Sequence, residues 1–169
     1  MFRIIQKSLK TRKVTGQYPA PTKPEQQVSD AVREKASVFG RSLAIREVDT
    51  GSCNGCEMEM NALMNPVYDA ERFGIHIAAS PRHADALVVT GPVTVNMERA
   101  LKDVYAATPD PKLVIALGDC ACDCGMFKGS YAVTGPVERH IPVDVKISGC
   151  PPRPSEILDA LKKIQGRKP

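Results

Sequence analysis

The stretch Lys112-Leu113-Val114-Ile115-Ala116-Leu117-Gly118-Asp119-Cys120 joins the most apolar predicted strand of the chain to a glycine turn and a cysteine. A short apolar run that ends at glycine is typical of a strand buried on both faces of a sheet. We therefore predict a central strand over Lys112–Leu117, and we expect Cys120 to lie just beyond its carboxyl end.

On both sides of this stretch, predicted strands alternate with predicted helices. The strands are Ser42–Val48, Ile75–Ala79, Ala86–Thr90 and Val143–Ile147, and the helices are Glu57–Leu63, Asn96–Ala107 and Ser155–Ile164. Glu25–Phe39 is compatible with a further helix of weak periodicity. Apolar strands that alternate with helices indicate an α/β fold, in which a parallel sheet is covered on both faces.

Four of the six cysteines follow this pattern. Cys53, Cys120 and Cys150 each come after a predicted strand, and Cys56 forms a C-x-x-C pair with Cys53. Ligands of parallel sheets bind beyond the carboxyl ends of the strands, so we expect these thiols to meet at one edge. Four thiolates from three loops are sufficient to hold one [4Fe–4S] cluster.

Two other uses of these cysteines fit part of the pattern. Four thiolates also satisfy a structural zinc ion, although zinc ribbons usually contain two C-x-x-C pairs and this chain has one. A strand followed by Cys-Asn-Gly-Cys and a helix is also the arrangement of a thioredoxin-type dithiol. A dithiol leaves Cys120 and Cys150 unexplained, so we prefer the iron–sulfur interpretation.

The composition excludes several classes of protein. No secretory leader is recognisable, so we expect reduced thiols in an intracellular compartment. The apolar runs are too short to cross a bilayer, so any membrane contact is expected to be peripheral. Aromatic residues make up 5% of the chain and are not interleaved with the basic residues, which argues against nucleic-acid binding.

The positive charge is concentrated at the start of the chain. Residues 1–24 contain six Lys and Arg and no acid, whereas the whole chain has a net charge of +4. Phe2, Ile5 and Leu9 fall at helical spacing, so residues 1–20 predict a basic amphipathic helix that contacts an anionic membrane or an acidic partner groove. A frayed terminus and an organelle transit peptide are the alternatives. Because Val14–Pro24 contains three prolines, we predict an arm and linker over residues 1–40 and a globular domain over residues 41–169.

Several motifs together resemble a known family. They are Thr50–Glu57 (TGSCNGCE), Tyr68–Gly74 (YDAERFG), Ser80–Asp85 (SPRHAD), Val89–Val93 (VTGPV), Gly118–Cys120 (GDC), Pro142–Val145 (PVDV) and Gly149–Pro152 (GCPP). In order and spacing, over roughly residues 45–165, they resemble the small subunit of membrane-bound, complex-I-related [NiFe] hydrogenases, including formate hydrogenlyase. The complex I subunit that carries the terminal cluster beside the quinone is similar over the same span. It characteristically has two adjacent cysteines, so the C-x-x-C form favours the hydrogenase branch.

The resemblance implies a flavodoxin-like fold in which Cys53, Cys56, Cys120 and Cys150 ligate a proximal [4Fe–4S] cluster. It implies that a large subunit holds the Ni–Fe site, that a ferredoxin-like subunit continues the electron path, and that membrane subunits anchor the complex at the cytoplasmic face of the cell membrane. This chain would then be an electron-transfer subunit of an oxidoreductase, with catalysis in its partner. The alternative is a complex I-type subunit that passes electrons to quinone.

Other residues near the cysteines are weaker candidates for the site. Cys122 and Cys124 alternate with Cys120, so in an extended loop they would point the same way and one of them could replace Cys120. The match of Gly-Asp-Cys to the family favours Cys120, and small buried packing residues are the preferred interpretation of the other two. Arg82 could stabilise added negative charge beside a reduced cluster, and Glu57 could relay protons. Structural roles are the alternative for both residues.

Overall fold

A five-stranded sheet forms the centre of the structure, a computed structural model that describes residues 28–40 and 42–167. The basic arm predicted for residues 1–20 lies outside the described residues. The strands of the chain are β1 Leu43–Asp49, β2 Ile75–Ile77, β3 Ala86–Thr90, β4 Val93–Thr94, β5 Leu113–Leu117, β6 Val133–Gly135 and β7 Val145–Ile147.

The main sheet has the strand order β2-β1-β3-β5-β7, and every neighbouring pair is parallel. This is the flavodoxin-like order, so the predicted fold class is confirmed. β3 is the middle strand, and β5, which the sequence predicts as central, lies beside it with Ala86 opposite Leu113 and Thr90 opposite Leu117. Every residue of β3 and β5 is buried, as expected for strands that are covered on both faces.

The helices are α1 Asp30–Ser37, α2 Gly55–Ala62, α3 Glu98–Ala107, α4 Asp119–Asp123 and α5 Pro154–Ile164. Val88 and Ile115 belong to the core layer that includes residues of α1, α2 and α5. Leu87 and Val114 belong to a second layer that includes residues of α3 and α4. Because successive side chains of a strand point to opposite faces, this alternation places helices on both sides of the sheet, as predicted.

α1 packs into the same core as the sheet. Val32 and Ala36 are buried in the layer that contains α5, and Lys35 Nζ lies 3.0 Å from the carboxylate of Asp144. The other oxygen of Asp144 accepts a hydrogen bond of 2.8 Å from the backbone N–H of Val114 in β5. The packed core therefore includes side chains on the N-terminal side of residue 41.

Two strands and one α-helix of the structure, β4, β6 and α4, were not predicted from the sequence. β4 and β6 form a small antiparallel ribbon beside the main sheet. α4 occupies the segment for which an extended loop was considered, so Cys120, Cys122 and Cys124 do not point the same way, and that expectation is wrong. Among the described residues, no helix has both the length and the apolar character needed to cross a membrane.

Candidate functional site

The four cysteines of the sequence pattern line one cavity at the carboxyl ends of the parallel strands. Cys53 and Cys56 lie after β1, Cys120 after β5 and Cys150 after β7. The complete lining is Ser52, Cys53, Gly55, Cys56, Gly91, Asp119, Cys120, Gly149, Cys150 and Pro151. Within residues 28–40 and 42–167, no three Cys, His, Asp or Glu side chains are arranged to hold a single metal ion.

The loop that carries Cys53 is held by side chains of the preceding strand. Asp49 Oδ1 accepts hydrogen bonds from the backbone N–H groups of Gly51, at 2.7 Å, and Ser52, at 2.8 Å. Thr50 Oγ1 donates to the carbonyl of Thr90 at 2.8 Å, which ties this loop to β3. α2 begins at Gly55, so Cys56 lies in its first turn.

Glycine allows neighbouring loops to approach closely at this edge. Gly118, between β5 and α4, has φ +87°, and a Cβ atom there would lie 2.6 Å from Cys56 Sγ. Gly91 has φ +73°, and a Cβ atom there would lie 2.5 Å from the backbone nitrogen of Ser52. The loop of Cys53 and Cys56 can therefore pack closely against the turns after β3 and β5 only because Gly91 and Gly118 carry no side chain.

The loops of Cys120 and Cys150 are joined by a pair of hydrogen bonds. The backbone N–H of Asp119 donates to the carbonyl of Gly149 at 2.9 Å, and the N–H of Gly149 donates to Asp119 Oδ1 at 2.8 Å. The Cys150–Pro151 peptide bond is cis. Asp119 was not singled out from the sequence, and its place immediately before Cys120 is the signal that could have identified it.

The four thiols influence one another electrostatically. Burial, followed by the charges of Glu57, Cys120, Cys53 and Cys150, raises the pKa of Cys56 to about 12. Burial raises the pKa of Cys120, and the charges of Cys150 and Cys53 raise it further. Four neighbouring thiolates repel one another, so the ionised set requires positive charge between them. The donor set, the shared cavity and the glycine backbone fit an iron–sulfur cluster, whose ligands are thiolates.

Cys122 and Cys124 lie outside this cavity. Cys122 Sγ is 3.7 Å from the carbonyl oxygen of Ala116 and packs against the core layer of α3, while Cys124 is 5% exposed. Burial raises the pKa of both thiols, which favours their neutral form. Their surroundings correspond to the predicted role as packing residues.

The two further candidates from the sequence, Arg82 and Glu57, differ in how close they lie to the cavity. Arg82 is exposed in a short 3₁₀ helix, Pro81–His83, and is not among the residues that line the cavity. Glu57 follows Cys56 in α2, and both carboxylate oxygens of Glu57 are buried without a hydrogen-bond partner among the described residues. The charge of Glu57 also acts on Glu47, whose pKa is raised to about 7, mainly by burial. Glu57 is therefore close to the site, whereas a role for Arg82 in it stays a prediction.

Several known proteins are similar to this chain in sequence, and a solved structure is similar to it in fold as well. The chain is 48% identical over 137 residues to the probable membrane-bound hydrogenase subunit mbhJ of Pyrococcus furiosus, which covers 79% of this chain and 82% of that one. It is 41% identical over 140 residues to formate hydrogenlyase subunit 7 of Escherichia coli, which covers 83% of this chain and 55% of that one.

A solved archaeal respiratory membrane complex, the membrane-bound sulfane sulfur reductase, contains a similar chain. The superposition has a TM-score of 0.67 at 37% identity, and covers 79% of this chain and 74% of that one. Residues 53–164, which include all four cysteines of the cavity, match the family described as "NADH ubiquinone oxidoreductase, 20 Kd subunit". The chain therefore belongs to this family and is a subunit of an oxidoreductase.

Proposed function

We propose that this chain binds one [4Fe–4S] cluster through Cys53, Cys56, Cys120 and Cys150. In this proposal it passes electrons between a Ni–Fe site in a large subunit and a ferredoxin-like subunit. The observation that carries the proposal is that four thiols, from three separate loops, line one cavity. Burial and the charges of neighbouring thiols raise the pKa of two of them, Cys56 and Cys120. The similarity to the hydrogenase subunit of Pyrococcus furiosus and to the formate hydrogenlyase subunit supports the choice of reaction.

The chain itself supplies the binding and the surroundings of the cluster. A bound cluster would accept and release one electron at a time. Cys53, Cys56, Cys120 and Cys150 would hold it; Cys56 and Cys120 are half-buried, and Cys53 and Cys150 are exposed. Gly118 lets Cys56 lie against the backbone, while Gly91 and Pro151 line the cavity and limit the access of water. Restricted access of water is one of the factors that set the potential of such a centre.

A surface beside Cys120 fits the large-subunit partner. Four apolar side chains next to α4 and the β4–β6 ribbon are exposed: Val95, Met126, Phe127 and Tyr131. Tyr131 is 100% exposed and Met126 87%, and the N–H of Val95 donates to the carbonyl of Ala132 at 2.9 Å, which joins the two halves of the patch. Exposed apolar side chains that lie near one another are typical of a protein interface. We call these four residues the apolar rim.

The second candidate function is a complex I-type subunit that passes electrons to quinone. The family to which the chain belongs is named after a subunit of NADH ubiquinone oxidoreductase, and this observation favours that candidate. The spacing of Cys53 and Cys56 favours the hydrogenase-type subunit. The two candidates differ in the partner, because only the hydrogenase-type partner contains nickel.

We place the complex at the cytoplasmic face of the cell membrane, with membrane subunits among its partners. The relatives named as membrane-bound support this placement, and so does the positive charge of residues 1–24. In this proposal residues 1–20 contact the membrane or a membrane subunit. Deleting residues 1–20 should then leave the cluster intact but release part of the complex from washed membranes.

Purification of the intact complex tests the function. We expect a brown protein with four iron atoms per copy of this chain beyond those of its partners, an EPR signal on reduction, and nickel in the large subunit. Zinc in place of iron, without visible absorption, would identify a structural zinc site instead. Iron without nickel, together with quinone reduction, would favour the complex I-type candidate.

A further inference from the structure

Asp119 lies where two of the cysteine-bearing loops meet. Asp119 lines the cavity and immediately precedes Cys120, and its side chain reaches across to the loop of Cys150. Among the described residues that line the cavity, Asp119 is the one with a charged side chain. It therefore combines two properties that affect a bound cluster, which are position and charge.

The positional property comes from paired hydrogen bonds. Asp119 donates its backbone N–H to Gly149 and accepts the N–H of Gly149 on Oδ1, at 2.9 and 2.8 Å. One residue earlier, the N–H of Gly118 donates to the carbonyl of Ile147 at 2.7 Å, which extends the β5–β7 pairing up to the site. Among these contacts, the bond to Oδ1 is the one that depends on a side chain. Since Cys120 and Cys150 directly follow Asp119 and Gly149, this bond holds together the backbone of the two loops that carry them.

The electrostatic property comes from the remaining charge of the carboxylate. Asp119 lines the same cavity as Cys53, Cys120 and Cys150, so its carboxylate lies next to the proposed ligands. One hydrogen bond from a neutral amide does not cancel a full negative charge. A fixed anion beside a cluster opposes the arrival of an electron, and therefore lowers the reduction potential.

We propose that Asp119 is a positioning residue for the cluster, which holds the Cys120 and Cys150 loops in register and lowers the reduction potential through its carboxylate. This inference rests on the proposed function, because it presupposes the cluster. It assigns the tuning of the potential to a residue of this chain that is not itself a ligand.

Two substitutions separate the two properties. Asp119→Asn keeps an oxygen that can accept the N–H of Gly149 but removes the charge, and Asp119→Ala removes both. Asp123→Asn is the matched control, because Asp123 belongs to the same helix α4 and its Oδ1 accepts the N–H of Gly125 at 2.9 Å, yet it does not line the cavity. All variants are purified as the intact complex and titrated with dithionite, one electron per cluster, while the EPR signal is recorded.

For Asp119→Asn we expect an unchanged iron content and a potential shifted to more positive values. For Asp119→Ala we expect a several-fold loss of iron from this chain and a broadened EPR signal. Asp123→Asn should match the wild type in both measurements. An unshifted potential in Asp119→Asn, or an equal shift in Asp123→Asn, would overturn the electrostatic part of the inference.

Thermal unfolding of the same chain after removal of iron tests the positional part without the cluster. We expect Asp119→Ala to melt at a lower temperature than Asp119→Asn, because only the alanine variant loses the bond to Gly149. Equal melting temperatures would overturn the positional part. A wild-type complex whose copy of this chain contains no iron would instead overturn the proposed function, and the electrostatic part of the inference with it.

Discussion

At the residue scale, Cys120 differs from Cys122 and Cys124 in what surrounds its sulfur atom. Cys120 shares a cavity with three other thiols, Cys122 packs near the carbonyl of Ala116, and Cys124 is buried with φ +72°. The alternation of the three along the sequence hides this difference, because it suggests an extended loop where the chain forms helix α4. The spacing of the cysteines predicted which four thiols meet in the cavity. It could not predict that Asp119–Asp123 form a short helix, which determines the direction in which each of these three cysteines points.

Serine substitutions test this distinction. We expect Cys120→Ser to lose most of the iron of this chain, because a hydroxyl is a poor substitute for a thiolate in iron ligation. Cys122→Ser and Cys124→Ser should keep the iron and cost about 1 kcal/mol of unfolding free energy. Iron content and the EPR spectrum of the purified complex give the result. A variant of Cys122 or Cys124 that loses the signal while Cys120→Ser keeps it would refute the ligand assignment.

Glu47 makes the stability of the chain depend on pH. Its pKa is raised from 4.5 to about 7, first by burial and then by Glu57 and Asp49, with Arg46 acting in the opposite direction. A carboxyl group with a raised folded-state pKa stabilises the fold most at low pH, and this contribution is lost as the pH rises from about 4.5 through about 7. Because Glu47 is half-buried and partly screened by water, we expect a loss of about 1–2 kcal/mol.

The comparison with Glu47→Gln isolates this effect. The neutral variant should be more stable than the wild type at pH 8, and the difference should shrink as the pH falls to about 5. Urea unfolding at both pH values measures it. A constant difference between the two proteins across this range would contradict the assignment of the titration to Glu47.

At the element scale, the turn from β5 to α4 depends on Gly118. Gly118 and Gly129 both have positive φ, +87° and +82°, so an alanine at either position strains the backbone. Only at Gly118 would the new Cβ atom meet another residue closely, at 2.6 Å from Cys56 Sγ, whereas Gly129 has nothing within 4 Å. We therefore expect Gly118→Ala to lose iron and stability, and Gly129→Ala to lose a little stability alone. Equal iron contents in the two variants would show that the turn has no effect on the site.

One physical reason explains why β4, β6 and α4 could not be predicted from the sequence: all three are short. The strands β3 and β5 have five residues each, all apolar except Thr90, and they are recognisable because burial on both faces favours a continuous apolar run. β4 has two residues and β6 three, so neither is long enough to show a period. α4 has five residues, and its position is fixed by tertiary contacts of Gly118 and Asp119, which no local pattern displays.

At the scale of the whole molecule, the apolar rim is the proposed contact with the large subunit. A charge placed in a protein interface must lose its water without gaining a partner, which is strongly unfavourable. We therefore expect Tyr131→Glu to reduce the recovery of the large subunit with this chain severalfold. Val67→Glu is the control, because Val67 is 79% exposed but lies in the segment between α2 and β2, outside the rim. Full recovery with Tyr131→Glu, in pull-down from cells that express the complex, would remove the rim from the interface.

The hydrogen bonds that shape the cavity have a consequence for biogenesis. Asp49 and Thr50 hold one loop, and Asp119 holds two others, through donors and acceptors that involve no sulfur atom. Because these hydrogen bonds need no metal, we expect the chain to fold before the proposed cluster is bound, unlike a zinc finger, which is unfolded without its metal. The exposure of Cys53 and Cys150 leaves an entrance for a delivery factor. For the proposed function we therefore expect the polypeptide to fold first, iron and sulfide to bind second, and the large subunit to dock last.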